Sequence, residues 1–235
     1  MWDVRTLLPL LLLGACAPKV PRMPGPLGSV GQDRDRMRIV VQEPDEPRPS
    51  RKKADRAQSS IADAARHYLD VAPRGFRDDC SGYVEAVFAR AGLALEGSTA
   101  SFYDLAKDTG ALHHRTLPYP GDLACFDDTY DRNHNGRLDD PLSHVAVVIE
   151  VRPNGTILLG HGGTSRGRTT LRMNLERPDA REDEAGEVLN DWLRVRRDSD
   201  PGGTHYLSGE LWRGFATFST RLPQSRDDAL AGELP

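Results

Sequence analysis

Asp78-Asp79-Cys80-Ser81-Gly82-Tyr83-Val84 sets a cysteine directly after two acids and directly ahead of an apolar pattern. Tyr83, Val84, Val87, Phe88 and Ala91 recur at helical spacing, and Gly92 supplies a stop. Asp79 has the chemistry of an N-cap, which puts Cys80 in the first turn. There the unpaired backbone N–H groups and the positive end of the helix dipole favour a thiolate. The thiolate is the form that attacks carbonyl carbon. The competing reading is a small buried hydrophobe, the usual fate of a free cysteine. A core cysteine belongs inside the apolar run, whereas Cys80 stands ahead of it among acids, Ser and Gly. Position alone leaves the two readings level, and the histidines downstream decide between them.

Upstream, Ile61, Ala64, Ala65, Tyr68 and Leu69 carry the spacing of an amphipathic helix that begins near Ser59. Downstream, Ser101 and Asp104 form a capping-box pattern for a third helix ending before Gly110. The period then changes. Pro120-Gly121-Asp122 turns into Leu123-Ala124-Cys125-Phe126, and Val145 to Val151 is a β-branched run fit for a buried strand. Pro153-Asn154-Gly155 turns it back into Thr156-Ile157-Leu158-Leu159, a hairpin signal. Thr169 to Leu175 and Leu211 to Ser219 read as further strands. Between them, 177–200 reads as a charged surface excursion pinned by Trp192 and Leu193. Helices first and an antiparallel sheet after them give an α+β class.

The chain has 235 residues, 28% of them charged, and a net charge of −4, which argues against a nucleic-acid binder. Leu7 to Leu13 is too short to span a bilayer and fits the apolar part of a secretory signal. It runs into Leu13-Gly14-Ala15-Cys16, which resembles the bacterial lipoprotein box. That resemblance implies a signal over 1–15, lipid on Cys16, and, with Ala rather than Asp at position 17, an outer-membrane address facing the periplasm. Residues 16–57, rich in Pro and then in mixed charge, read as a disordered tether, and 223–235 as a disordered tail. The folded domain is expected over 58–222. An exported chain meets an oxidising compartment, so a Cys80–Cys125 disulfide, which would silence Cys80, stays open.

His144 opens the Val145 strand and His161 follows the next one, in Gly160-His161-Gly162-Gly163. If the two strands pair as a hairpin, the histidines lie at the same end of the sheet and can touch. A cysteine nucleophile needs a base held by a third polar group, and Cys80, His144 and His161 supply those parts.

At this point the sequence resembles the NlpC-type papain-like cell-wall peptidases. The matching pieces are Asp79-Cys80-Ser81-Gly82 with Tyr83 and Val84, then Pro120-Gly121-Asp122-Leu123, then His144-Val145, then His161 with Thr164-Ser165-Arg166-Gly167 behind it. The resemblance implies a papain-like fold with Cys80 as nucleophile, His144 as base and His161 as the orienting member. It further implies cleavage of peptidoglycan stem peptides, often at a γ-D-glutamyl bond. Tyr68, upstream of Cys80, is the candidate for the oxyanion tyrosine of such enzymes, with a packing role as its alternative. The segment 75–78 departs from the family's Gly-Gly pattern before the cysteine, and the stretch from Cys125 to His144 is enlarged by an insertion.

The insertion, Asp131-Arg132-Asn133-His134-Asn135-Gly136-Arg137-Leu138-Asp139-Asp140, matches the first part of a calcium loop. Asp131, Asn133, Asn135, the Arg137 carbonyl and Asp139 would ligate, and because Leu142 occupies the place of the usual glutamate, Asp139, Asp140 or Asp128 is the candidate to replace it. Its alternative is a solvated polar loop. The expectation is a lipid-anchored, monomeric peptidoglycan hydrolase with no cofactor for catalysis and a structural calcium. The rivals are a non-catalytic, calcium-stabilised envelope lipoprotein that binds wall peptides, and an amidase or acyltransferase on another substrate.

Overall fold

The computed structural model describes residues 51–218, with side chains from 55 onward, all within the unit Glu46–Pro235. The expected signal, Cys16, most of the tether and the tail lie outside the described residues. Three helices precede the sheet: α1 (Arg51–Asp70), α2 (Cys80–Arg90) and α3 (Thr99–Asp108). Six strands follow: β1 (Leu112–His113), β2 (Leu123–Phe126), β3 (His144–Val151), β4 (Ile157–Thr164), β5 (Gly167–Met173) and β6 (Trp212–Ala216). They form one antiparallel sheet in the order β1-β6-β2-β3-β4-β5, so the α+β reading holds.

Two boundaries differ from the sequence pattern. The first helix starts at Arg51 rather than near Ser59, because the mixed charges before Ser59 hide a helical turn behind a polar composition. The third is capped by Ser98, not Ser101: the Ser98 hydroxyl accepts from the Ser101 N–H while the Ser101 hydroxyl accepts from the Ser98 N–H. Two serines share the capping box that Ser101 and Asp104 were expected to make.

Alternation along the strands divides the interior into two cores. Leu123, Cys125, Val145, Val147 and Ile149 face the helices and pack with Ile61, Ala65, Val84, Val87 and Phe88. Ala124, Phe126, Ala146, Val148, Leu159 and Leu171 face the other way. That second face is closed by the excursion before β6, where Leu189 is fully buried and Leu193 packs against the core. Leu193 therefore pins the excursion as expected, but Trp192 does not, being 62% exposed.

The start of β2 is locked by one carboxylate. Fully buried Asp122 accepts from Gln58 Nε2 (2.6 Å), Thr217 Oγ1 (2.8 Å) and the Tyr119 N–H (2.8 Å), with His113 Nε2 at 3.2 Å. The clasp ties α1, β1 and the end of β6 to the head of β2. It leaves the other end of β2 and β3, where Phe126 pairs with His144, as the place for a site.

Candidate active site

Asp79 caps α2 from extended backbone, its carboxylate accepting from the Gly82 N–H at 2.6 Å. Gly82 itself is required, because a Cβ there would run into the Arg77 carbonyl. Cys80 thus sits at the helix tip, and what surrounds the tip is decided by the sheet. Val148 hydrogen-bonds to the β2 side through Asp122, so Val147 and Val145 turn theirs toward β4. Val147 pairs with Gly160, but the pairing stops there, and Val145 is left where Gly162 would have faced it. The Cys80 sulfur takes the Val145 N–H instead, with further hydrogen bonds from the Ser81 and Thr99 side chains.

The strand that should have filled this notch bends away. The β4–β5 register shifts between His161 and Thr164. Gly163 adopts φ 71°, and a Cβ on it would lie 2.7 Å from the Cys80 nitrogen. Glycine is needed here both for the left-handed backbone and for the close approach.

The two histidines flank the notch. His144 Nε2 and His161 Nδ1 are 2.8 Å apart, the rings standing edge-on at 86°. By alternation they share the face of Ala146, Val148 and Leu159, and the His144 ring lies 6.1 Å from that of Phe126. Cys80 packs with the helix-side core, on the opposite face of the sheet from the two rings. Among the described residues the thiol is hydrogen-bonded to Val145 rather than to either ring.

Burial controls the charges. It pushes the His144 imidazole down to about 3, with His161 adding to the fall, and His161 down to about 4, against the upward pull of Asp191. It pushes the Cys80 thiol up, the Val145 N–H acting against it and the Asp79 charge with it. The thiolate expected from the helix tip is therefore outweighed, and at neutral pH the site holds a thiol and two neutral imidazoles. Cys125 lies within charge reach of Cys80, and both thiols are free, so the disulfide left open by the sequence is not formed.

Three residues near the site carried no signal in the sequence. Asp191, whose charge reaches His161, is held by Arg172 (3.0 Å) and Arg181 (3.5 Å) and comes from the excursion read as mere surface. Tyr130, 48% exposed, stands within charge reach of Cys80 and Asp79. Arg168 on β5 lies against the α2 tip. Tyr68, expected beside the thiol, is not brought there. Its ring packs against His67 (5.1 Å) and under Arg90 (5.8 Å), the last residue of α2, with no contact to Cys80. Distance along the chain gave no information on which end of α2 the ring would meet.

The insertion forms a tight loop with His134 and Gly136 in left-handed backbone. Asp131 accepts from the Asn135 and Gly136 N–H groups at 3.1 and 3.0 Å, and the Asn133 and Asn135 side-chain oxygens accept from the Asn135 and Arg137 N–H groups. Both asparagine amides donate to Asp139. Asp131, Asn133, Asn135 and Asp139 are thus gathered around one turn, with the Arg137 carbonyl next in the chain, an all-oxygen set that fits a hard cation. Asp140 is not gathered with them: its backbone pairs with Asp128, and its Oδ2 is buried without a partner. No group of three His, Cys, Asp or Glu side chains converges on a metal position among the described residues.

A model of the CHAP domain matches residues 71–163. A solved Staphylococcus aureus protein, described as similar to a lipoprotein of the NLP/P60 family, is 26% identical, with a TM-score of 0.33. The likeness covers 49% of this chain and 36% of that one, so well under two thirds of the relative is spanned. No curated protein matches.

The depressed histidines make stability fall with acid. Below about pH 6.5 the unfolded chain binds protons at His144 and His161 that the folded chain does not bind until about pH 4 to 3. These two groups therefore withdraw stability as pH falls through that window, by up to about 1.4 kcal/mol per unit each, and add no slope above it. Thermal melts at about pH 7 and about pH 4.5 should show a smaller acid loss for His161→Gln than for the wild type. An equal loss would contradict the burial account.

Cys80, His144 and His161 all lie within residues 71–163, the segment that is similar to the CHAP domain.

Proposed function

We propose that this protein is a cysteine peptidase that cuts amide bonds in peptidoglycan stem peptides through a thioester at Cys80. The observation that carries the reading is the notch: a thiol at a helix tip against the Val145 N–H, where β3 and β4 part, with the histidines of those two strands hydrogen-bonded to each other.

The chemistry follows from which nitrogen is taken. His144 Nε2 is engaged by His161 Nδ1, and in this reading His144 Nδ1 is the atom that takes the thiol proton. The reaction assigns the tautomers: His161 Nδ1 accepts from the His144 Nε2–H and His161 carries its own proton on Nε2, with the Asp191 charge within reach of the ring. As the Cys80 sulfur attacks the scissile carbonyl, its proton passes to His144 Nδ1. The imidazolium, disfavoured by burial, is supported through His161 by Asp191. The Cys80 backbone N–H at the helix tip faces the developing oxyanion. The C–N bond then breaks, the amine leaves with the proton from His144, and the acyl group stays on sulfur. Water, deprotonated by His144, hydrolyses the thioester and returns the thiol. In the same reading lipid on Cys16 holds the monomeric chain at the outer membrane, facing the periplasm.

Digestion of defined muropeptides tests this. Cys80→Ala should lower the rate by at least about 10³-fold, and His144→Ala by about 10² to 10⁴-fold. Undiminished release of peptide fragments by Cys80→Ala would sink the reading, and products other than cut stems would turn it toward an amidase or acyltransferase of other specificity.

The gathered oxygens of the insertion support a second element, a calcium ion held by Asp131, Asn133, Asn135, Asp139 and the Arg137 carbonyl. Its role is to fix the approach to His144. Calcium at about a hundred times its dissociation constant should stabilise the full chain by about 2.7 kcal/mol. The gain should vanish in Asp131→Asn; a melt indifferent to both calcium and chelator would count against the ion.

A further inference from the structure

Arg168 is the second residue of β5, opposite the Gly162–Gly163 bend of β4. Leu171 and Met173 belong to the second core, so alternation puts Arg168 on the opposite face, the face of Cys80. Gly162 gives it room. A Cβ at that position would lie 3.5 Å from Arg168 Cγ, 3.0 Å from Tyr83 Cβ and 3.3 Å from the Asp79 carbonyl. The arginine therefore lies across the first turn of α2, directly beside the residue that caps Cys80.

Its hydrogen-bonding capacity is almost unused. Nε is buried and has no partner. Nη1 meets Asp78 Oδ1 only at 3.5 Å, and the Asp78 side chain is 88% exposed, so water competes for that pair. The Arg168 side chain is 23% exposed, largely withdrawn from solvent without a buried carboxylate to balance it. A guanidinium in such a place is a fork with vacant prongs, and the group that fits it in one plane is a carboxylate.

We infer that Arg168 binds a free carboxylate of the substrate next to the scissile amide, so that the site takes acidic stem peptides in preference to their amidated forms. The assignment rests on the hydrolase reading for its purpose. Asp78 is its mobile counter-ion, displaced when the substrate carboxylate arrives.

Binding tests it without turnover. The full chain carrying Cys80→Ala is titrated calorimetrically with a stem tetrapeptide whose carboxylates are free, and with the same peptide amidated. The acid form should bind about tenfold or more tightly than the amide. Adding Arg168→Gln should bring the ratio toward one by weakening the acid form, while Arg168→Lys should keep part of it, since charge remains and the fork is lost. Equal binding of the two peptides, binding of neither, or an equal loss for both in Arg168→Gln overturns the assignment. A wild-type chain that cuts neither peptide, alongside a discriminating Cys80→Ala chain, would overturn the hydrolase reading and leave Arg168 in place.

Discussion

The site depends on a hydrogen bond that the sheet does not make with itself. Val145 is aimed at β4, and β4 is not there to receive it, because Gly162 and Gly163 carry that strand around the tip of α2. The Cys80 sulfur fills the vacancy. A side chain from the helix side is thereby held against β3 at the point where its pairing with β4 ends.

The burial that makes the arrangement precise also sets its chemistry. Taking two imidazoles and a thiol out of water favours the neutral form of each. The helix tip and the Val145 N–H pull the thiol the other way and lose. The resting site is therefore a neutral one, so that in the proposed reaction proton transfer accompanies attack rather than preceding it. Asp191 is the group whose charge offsets the cost of the imidazolium, and it is held from outside by two arginines. The excursion that supplies it also closes the second core, so covering the sheet and tuning the histidines are one structural act.

Local chemistry was legible where it was self-contained. Asp79 before an apolar helical pattern marked the cap and hence the place of Cys80. The β-branched run ending at Val151, with Pro153-Asn154-Gly155 after it, marked a hairpin, and an antiparallel hairpin obliges His144 and His161 to share an end. What stayed hidden depends on residues meeting across the fold. Tyr68 has a plausible distance along the chain, but helix packing sets its ring against Arg90. Asp191 and Arg168 look like ordinary surface charges until the strand register is known. The notch could not be read at all, since it consists of a pairing that fails to continue. The helix ends slipped for a milder reason: Ser98 and Ser101 are both competent caps, and charged residues before Ser59 form a helix as readily as a tether.

The central claim is that the Cys80 sulfur becomes covalently bonded to the substrate's acyl group. Rapid mixing of the wild-type chain with a stem peptide, acid quenching, and mass measurement of the intact protein and its fragments tests this directly. The account predicts a mass gain equal to the acyl portion of the peptide, located on the fragment containing Cys80. Peptide cleavage with an unmodified Cys80 at every quench time, or an acyl group on any other residue, would contradict it.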